Sequence, residues 1–388
     1  MNIILFDGIE WENLRPLTLT KPFAELRMGI FTFRERWEQL IRGNYSYLTR
    51  DYLSEKYPLH TEKINLFINP AFFPSHLIKE CVEKLKEGET LWHNAQLIAG
   101  KLTLEDFHKA DSLTGKQEFE GGFVKINRSW DLFQYNSYAL KSDYDFITKG
   151  RVSQKISSTN GVLNAKNIFI EEGATVEFSI LNAKEGPIYI GKNAEVMEGS
   201  MLRGGLALCE EAKINMGAKI YPGTTIGPHC KVGGEVNNSI FMAYSNKGHD
   251  GFLGNSVIGE WCNLGADTNT SNLKNNYSGV RVWDYSTQKY LDTGLQFCGL
   301  VMGDFSKSAI STRFNTGTVV GISANIFTAD FPPKFIPSFS WGGEADSERF
   351  NLEKCYESAQ KMMERRKEKL TENEKKIVKH IYLKHTEY

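Results

Sequence analysis

The stretch IGKNAEVMEGSMLRGGLALCEEAKINMGAKIYPGTTIGPHCKV, residues 190–232, carries an aliphatic side chain at every sixth position: Ile190, Val196, Leu202, Leu208, Ile214, Ile220, Ile226 and Val232. Helices ask for a period of 3.6 and ordinary strands for a period of 2, so neither explains the beat. A six-residue repeat is the pattern of a parallel β-helix, in which every sixth side chain points into a narrow core and short corners fold each strand onto the next face. Upstream, Ile170, Val176 and Asn182 keep the spacing. Downstream the beat slips by two residues and resumes at Ile240, Asn246, Phe252, Ile258, Leu264 and Thr270. It returns after a long interruption at Met302, Ser308, Phe314, Val320 and Ile326. With three hexads to each triangular coil, the pattern predicts a left-handed parallel β-helix over residues 160–335.

The first 150 residues read differently. Ile3–Phe6 and Ile64–Asn69 are short apolar runs suited to buried strands, while Phe31–Arg42 and Ser75–Lys86 carry helical periodicity. That alternation predicts an α/β layer with a mostly parallel sheet. The polar stretch Lys149–Asn160 marks a boundary, giving an α/β domain over 1–150, the β-helix, and a helical tail over 345–388. In the tail, Leu352, Tyr356, Ala359 and Met363 form one apolar stripe, and Thr371 with Glu374 makes a capping box. The charged run Arg365–Lys369 reads as a solvated face, and the tail as a cap on the prism or a tie between subunits.

Composition narrows the function classes. A chain of 388 residues is long for one core. A net charge of −1 offers no footprint for nucleic acid. Six cysteines without a CxxC pair suggest neither a metal site nor a disulfide frame, which suits a reducing cytoplasm. The opening MNIILFDG is too short an apolar run for a signal peptide, and no stretch is apolar enough to span a membrane.

Specific segments carry a resemblance. Leu14 to Pro22 (LRPLTLTKP) resembles the segment after the phosphate loop of sugar-1-phosphate nucleotidyltransferases, and Ser129-Trp130-Asp131-Leu132-Phe133 resembles the one that closes their catalytic domain. Joined to the β-helix, these motifs make the chain similar to bifunctional sugar-1-phosphate nucleotidyltransferase/amino-sugar acetyltransferases of the N-acetylglucosamine-1-phosphate uridylyltransferase type. The first domain departs from that pattern. Where the family has a Gly-rich loop, the chain reads Asp7-Gly8-Ile9-Glu10-Trp11-Glu12-Asn13, with one glycine and several carboxylates. Phe23 stands where the family has its catalytic Lys, and Asn69-Pro70-Ala71 where it has its metal-binding Asp. Arg15 matches and Lys21 lies one residue before the motif's Pro, so these two are the nucleotide-binding candidates, with Mg²⁺ required only if this domain is active.

The second half keeps more of the family's machinery. Asn246 to Gly259 (NKGHDGFLGNSVIG) resembles the acetyltransferase segment whose histidine is the general base, which the resemblance assigns to His249. Imidazole suits the task, since transfer of an acyl group to an amine needs a base near neutrality. Asn263 to Lys274 resembles the family's acceptor-holding run; Asn263 and Asn272 are implied acceptor contacts, joined by Glu235, Lys247 and Lys274. Tyr221, Asn237 and Phe252 stand where the family carries an Arg, a Lys and a Tyr, which leaves the acceptor's identity open. The run from Met302 to Gly321 looks like the coils along which acetyl-CoA lies, making Ser308 and Ala309 contacts for the pantetheine arm and Lys307 and Arg313 partners for its phosphates. The interruption Ser271–Phe297 suits a lid over a phosphate ligand or an arm on a neighbouring subunit.

Together these readings and the resemblance imply an acetyl-CoA-dependent acetyltransferase acting on an amino-sugar phosphate or a nucleotide-linked amino sugar, of the kind used in UDP-N-acetylglucosamine biosynthesis. The enzyme is expected to be a cytoplasmic homotrimer. Two alternatives stand beside it: a nucleotidyltransferase using UTP or TTP with a structural β-helix, and a noncatalytic trimeric scaffold.

Overall fold

The structure, a computed structural model, describes residues 1–343 and 348–384. Its contacts divide the chain into two compact units: residues 1–14, 20–26 and 31–128 form the first, and residues 15–19, 27–30 and 129–388 the second. This division places residues 129–150 with the second unit. Helices Ser129–Gln134 and Asn136–Ile147 group with the β-helix, where buried Asn136 donates to the Gly223 carbonyl at 2.7 Å and accepts from the Gly29 N–H at 2.7 Å.

In the first unit, the described residues form a six-stranded sheet. Strand Asn2–Phe6 lies between Asn44–Leu48 and Asn65–Ile68, parallel to both. Beyond Asn65–Ile68 the direction changes: Gln96–Leu102 is antiparallel to it and to Thr90–His93. The expectation of a mostly parallel sheet holds: among the described strands only Gln96–Leu102 is reversed, since Thr90–His93 and Lys116–Glu118, parallel to each other, run with the first three. Residues 90–102 form a hairpin, and a hairpin must run antiparallel. The helices Phe33–Leu40 and His76–Lys84 open on the Thr32 and Ser75 side chains, which accept the backbone N–H groups of Glu35 and Ile78.

The second unit is built on the left-handed parallel β-helix that the six-residue beat predicts. Among the described residues, one face stacks nine parallel strands from Ile168–Ile170 to Phe335–Ile336. A second face stacks strands from Thr175–Val176 to Ser340–Gly342, and a third runs from Gly161–Leu163 to Phe252–Gly254. Ile190, Val196, Leu202, Leu208, Ile214, Ile220, Ile226 and Val232 are all within 2% of full burial, as the period requires.

The phase departs from expectation in two places. Leu181, in register with Leu202, points inward instead of Asn182. In the coil after Val232, the inward residues are Val236, Phe241, Lys247 and Leu253, not Ile240, Asn246 and Phe252. Two short corners explain the shift: the Gly233-Gly234 corner, with Gly234 at φ +70°, brings Val236 inward four residues after Val232, and the next brings Phe241 inward five residues after Val236, so a count in strict sixes loses phase there.

The interruption after Thr270 forms an antiparallel hairpin, Arg281–Asp284 with Lys289–Asp292, packed against its own protomer. Trp283 stacks on Phe335 with ring centroids 4.5 Å apart, and Val280 and Val282 are buried. The tail forms helices Leu352–Glu364 and Glu372–Leu383, the second opened by the expected Thr371–Glu374 box; the expected start of the tail, at 345–347, lies outside the described residues. The tail packs along one side of the prism and also reaches its last coil, where Tyr382 meets the Phe339 ring with centroids 4.9 Å apart. Ala359, Met363 and Leu370 join Trp261 and Phe305 in one cluster, with Tyr244 and Tyr356 at its edge. His229, Tyr244, Trp261 and Phe305 occupy one corner of successive coils, each with φ near +60°. Their rings form a ladder: His229 stacks on Tyr244 at 4.5 Å and Tyr244 on Trp261 at 4.2 Å. No described helix is long and apolar enough to cross a membrane.

Candidate functional site

The outward side chains of the second face form a polar ladder. Registers place Glu195, Lys213, Lys231, Asn246, Asn263, Lys307 and Asn325 one above another. The tail helix Leu352–Glu364 runs beside this ladder and leaves a cleft of about 850 Å³ between them. On the ladder side it is lined by Lys231, Asn246, Asn263 and Lys307, and on the helix side by Lys361, Met362, Arg365 and Arg366. Arg366 donates to Asn246 Oδ1 at 2.9 Å, which ties the end of the helix to the ladder.

The electrostatics of the cleft are one-sided. Among the described residues that line it, five are cationic (Lys231, Lys307, Lys361, Arg365 and Arg366) and none is a carboxylate. Burial, and then the nearby Arg366, Lys213 and Arg365 charges, hold the Lys231 ammonium below its ordinary value. Burial lowers Lys307 likewise. Such a surface favours a ligand with several phosphate charges.

His249 stands at the edge of the cleft with its side chain exposed, on the corner after strand Asn246–Lys247. The same histidine borders a second recess of about 380 Å³, lined by Met197, Asn215, Met216, Gly233, Gly234, Gly248 and Asp250. His249 therefore borders two cavities, one cationic and one with a methionine rim.

Of the residues read from sequence, His249, Asn263 and Lys307 line the cationic cleft. The others lie elsewhere. Lys247 is 1% exposed, because the shifted phase turns it into the prism. Ser308 is also inward, its hydroxyl 3.0 Å from that of Thr268. Ala309 is exposed beside the cleft residue Ile310, and its carbonyl accepts from Thr312. Asn272 donates to Asn255 Oδ1 at 2.8 Å on another corner, and Glu235 sits on the third face. Lys274 donates to the Gly279 carbonyl at 2.5 Å inside the excursion, none of whose residues lines the cleft. Arg313 donates to the Ala329 carbonyl at 2.6 Å and lies over the Phe331 ring. Sequence reasoning missed Lys231, Lys361, Arg365 and Arg366. The run Arg365–Lys369, read as a solvated face, in fact delivers two guanidinium groups to the cleft.

The nucleotide-site candidates have different surroundings. Arg15 belongs to the second unit, with its guanidinium 5.7 Å from the Tyr285 ring centroid. Lys21 is buried in the first unit, its carbonyl accepting from Trp11 Nε1 at 3.1 Å. Where a phosphate loop would follow the first strand, Asp7 accepts from the Phe23 N–H at 2.9 Å and from Thr49 at 2.5 Å. Burial pushes its carboxyl up to about 7. Glu10, 2% exposed, pairs with Lys125.

Residues 3–152 match the sugar nucleotidyl transferase family model. A bifunctional sugar-1-phosphate nucleotidylyltransferase/acetyltransferase of Sulfurisphaera tokodaii is 27% identical over 268 residues, 66% of this chain and 59% of the relative. The bifunctional protein GlmU of Methanocaldococcus jannaschii is 30% identical over 206 residues, 53% of this chain and 43% of the relative. The chain thus spans about half the length of the curated relatives it matches. Among solved structures, a UDP-N-acetylglucosamine acyltransferase from Campylobacter jejuni is similar over 59% of this chain and 96% of its own, at 14% identity and a TM-score of 0.25. The N-terminal part is thus similar to sugar nucleotidyl transferases, and the chain as a whole to curated bifunctional sugar-1-phosphate nucleotidylyltransferase/acetyltransferases.

Proposed function

We propose that the β-helix unit transfers an acetyl group from acetyl-CoA to the amine of a sugar phosphate or a nucleotide-linked amino sugar, with His249 as general base. The observation that carries this reading is the position of His249 between a five-cation cleft and a second recess. Coenzyme A carries a diphosphate and a 3′-phosphate, a charge pattern that matches Lys231, Lys307, Lys361, Arg365 and Arg366. The acceptor takes the recess beside Asn215 and Asp250. The amine nitrogen attacks the thioester carbonyl, the C–N bond forms as the C–S bond breaks, and His249 accepts the proton that nitrogen loses. The CoA thiolate leaves and is protonated. Asn263 is within the cleft to orient the acyl arm; Asn272, Glu235 and Lys274, which line neither cavity in the protomer, reach an acceptor only from a neighbouring subunit of a homotrimer. The six unpaired cysteines suit a cytoplasmic setting.

The test is thiol release from acetyl-CoA across a panel of amino-sugar 1-phosphates and nucleotide amino sugars, wild type beside His249→Ala. Loss of general-base catalysis is expected to lower turnover by about 10²-fold or more. An unchanged rate removes His249 from the mechanism.

For the first unit we propose a nucleotidyltransferase-like body without nucleotidyl transfer. A magnesium-nucleotide site needs free carboxylate oxygens and a loop open to phosphate. Here Glu10 is neutralised by Lys125, and Asp7 is held by Thr49 and the Phe23 N–H, so the donor set does not fit the ion. Magnesium-dependent release of pyrophosphate from UTP or TTP with a sugar 1-phosphate would overturn this.

A further inference from the structure

The inward column of the second face reads Val196, Ile214, Val232, Lys247, Leu264, Ser308, Ile326. A lysine in an aliphatic column is against the rule of the fold, because a buried ammonium is tolerated only when its hydrogen bonds are met. Lys247 meets them at two carbonyls. Its Nζ donates to Gly233 O on the preceding coil at 3.1 Å and to His249 O at 2.9 Å. The adjacent carbonyl is held from another direction, since Asn215 Nδ2 donates to Gly248 O at 2.7 Å. The two peptide carbonyls that frame the histidine are thus each fixed by a side-chain donor, one inside the prism and one on its surface. The His249 side chain itself is exposed, so its aim depends on its backbone.

We infer that Lys247 is a positioning residue: from inside the β-helix its ammonium fixes the backbone of the corner that carries His249, and so fixes the imidazole between the two cavities. The inference rests on the acetyltransferase reading for its catalytic consequence but not for its structural one. An aliphatic residue would fill the column and leave the His249 carbonyl without this bond. Small displacements of a reacting group lower rates steeply, by about 10²-fold for roughly 1 Å.

The test is Lys247→Met, an unbranched apolar side chain of similar length, measured in the full chain for three properties. The kcat of acetyl transfer is expected to fall 10- to 100-fold, with the KM for acetyl-CoA changed less than about twofold. Amide hydrogen exchange at residues 248–251 is expected to accelerate about tenfold or more, with exchange of the core strand Thr224–Ile226 unaffected. The unfolding midpoint at pH 7 is expected not to fall, which separates positioning from a general loss of structure. Unchanged kcat together with unchanged exchange at 248–251 would overturn the proposal. Lys247→Gln, which keeps a neutral donor of shorter reach, is expected to lie between wild type and Lys247→Met. If neither variant folds, the lysine is a folding requirement and the positioning role is refuted. His249→Ala is run in parallel: if it retains full transfer, the acetyltransferase assignment of His249 fails, while the exchange data still decide whether Lys247 holds the corner.

Discussion

Lys247 also makes a quantitative prediction about stability. Burial lowers its ammonium from the ordinary 10.5 to about 8, and Asp250 and Asp267, the charged groups that act on it, offset only part of that. Because the folded value lies below the unfolded one, the unfolded chain binds the proton more tightly. Wild-type stability therefore rises between about pH 8 and 10.5, and the penalty is fully present below about 8. At about 1.4 kcal/mol per pH unit, the buried charge costs roughly 3 kcal/mol at pH 7. Lys247→Met removes that cost and forfeits hydrogen bonding worth about 1 kcal/mol. The variant should be more stable than wild type by about 2 kcal/mol at pH 7, and the difference should vanish near pH 10. Urea unfolding at the two pH values, followed by hydrogen exchange of the core strands Thr224–Ile226 and Val257–Ile258, measures both numbers. A variant less stable than wild type at pH 7, or a difference that does not change with pH, would refute the reasoning.

Other perturbations test the remaining contacts. Replacing Arg365 and Arg366 with Ala should raise the KM for acetyl-CoA about tenfold with little change in kcat, and should flatten the dependence of KM on salt. Trp261→Ala removes the buried ring that joins the tail to the prism; a loss of about 3 kcal/mol is expected, read as early proteolysis of residues 352–383. Lys125→Ala leaves Glu10 buried without its ion-pair partner and should destabilise the first unit by about 3–5 kcal/mol, visible in the exchange of strand Asn2–Phe6.

The prism was legible because its period is dictated by geometry: every coil must return an aliphatic side chain to the same axis, and the run from Ile190 to Val232 does so without a slip. Its phase was less legible. A beat counted in sixes cannot register shortened corners, so the two between Val232 and Phe241 put the reading one residue off and placed Asn246 inside and Lys247 outside. That one-residue error hid the polar interior beneath His249. The histidine itself was found through the family's Gly-His context, which survives local changes of phase. The cationic cleft was not readable, because Lys231 comes from one coil, Lys307 from another and Arg365 from a helix more than a hundred residues after the first. Only the docking of Ala359, Met363 and Leu370 on Trp261 and Phe305 brings them together. In the first unit, the change from parallel to antiparallel pairing depends on the hairpin over residues 90–102, whose strands carry no periodicity that distinguishes the two directions.

The aromatic corner has one more implication. Rings at equivalent positions of successive coils are separated by about the inter-strand spacing of a sheet, 4.7–4.9 Å, which is already a stacking distance. His229, Tyr244 and Trp261 therefore stack without any displacement of the backbone, and the column acts as a ruler marked in coils. The tail reads that ruler. Its apolar stripe docks at the marks for Trp261 and Phe305, and this choice sets which rungs Arg365 and Arg366 overlook. The hairpin at 281–292 leaves the prism between the third face and the first, away from the column, so its insertion adds residues without altering the count. Moving one aromatic residue to the next coil would slide the guanidinium groups by a single rung and leave the rest of the fold in place.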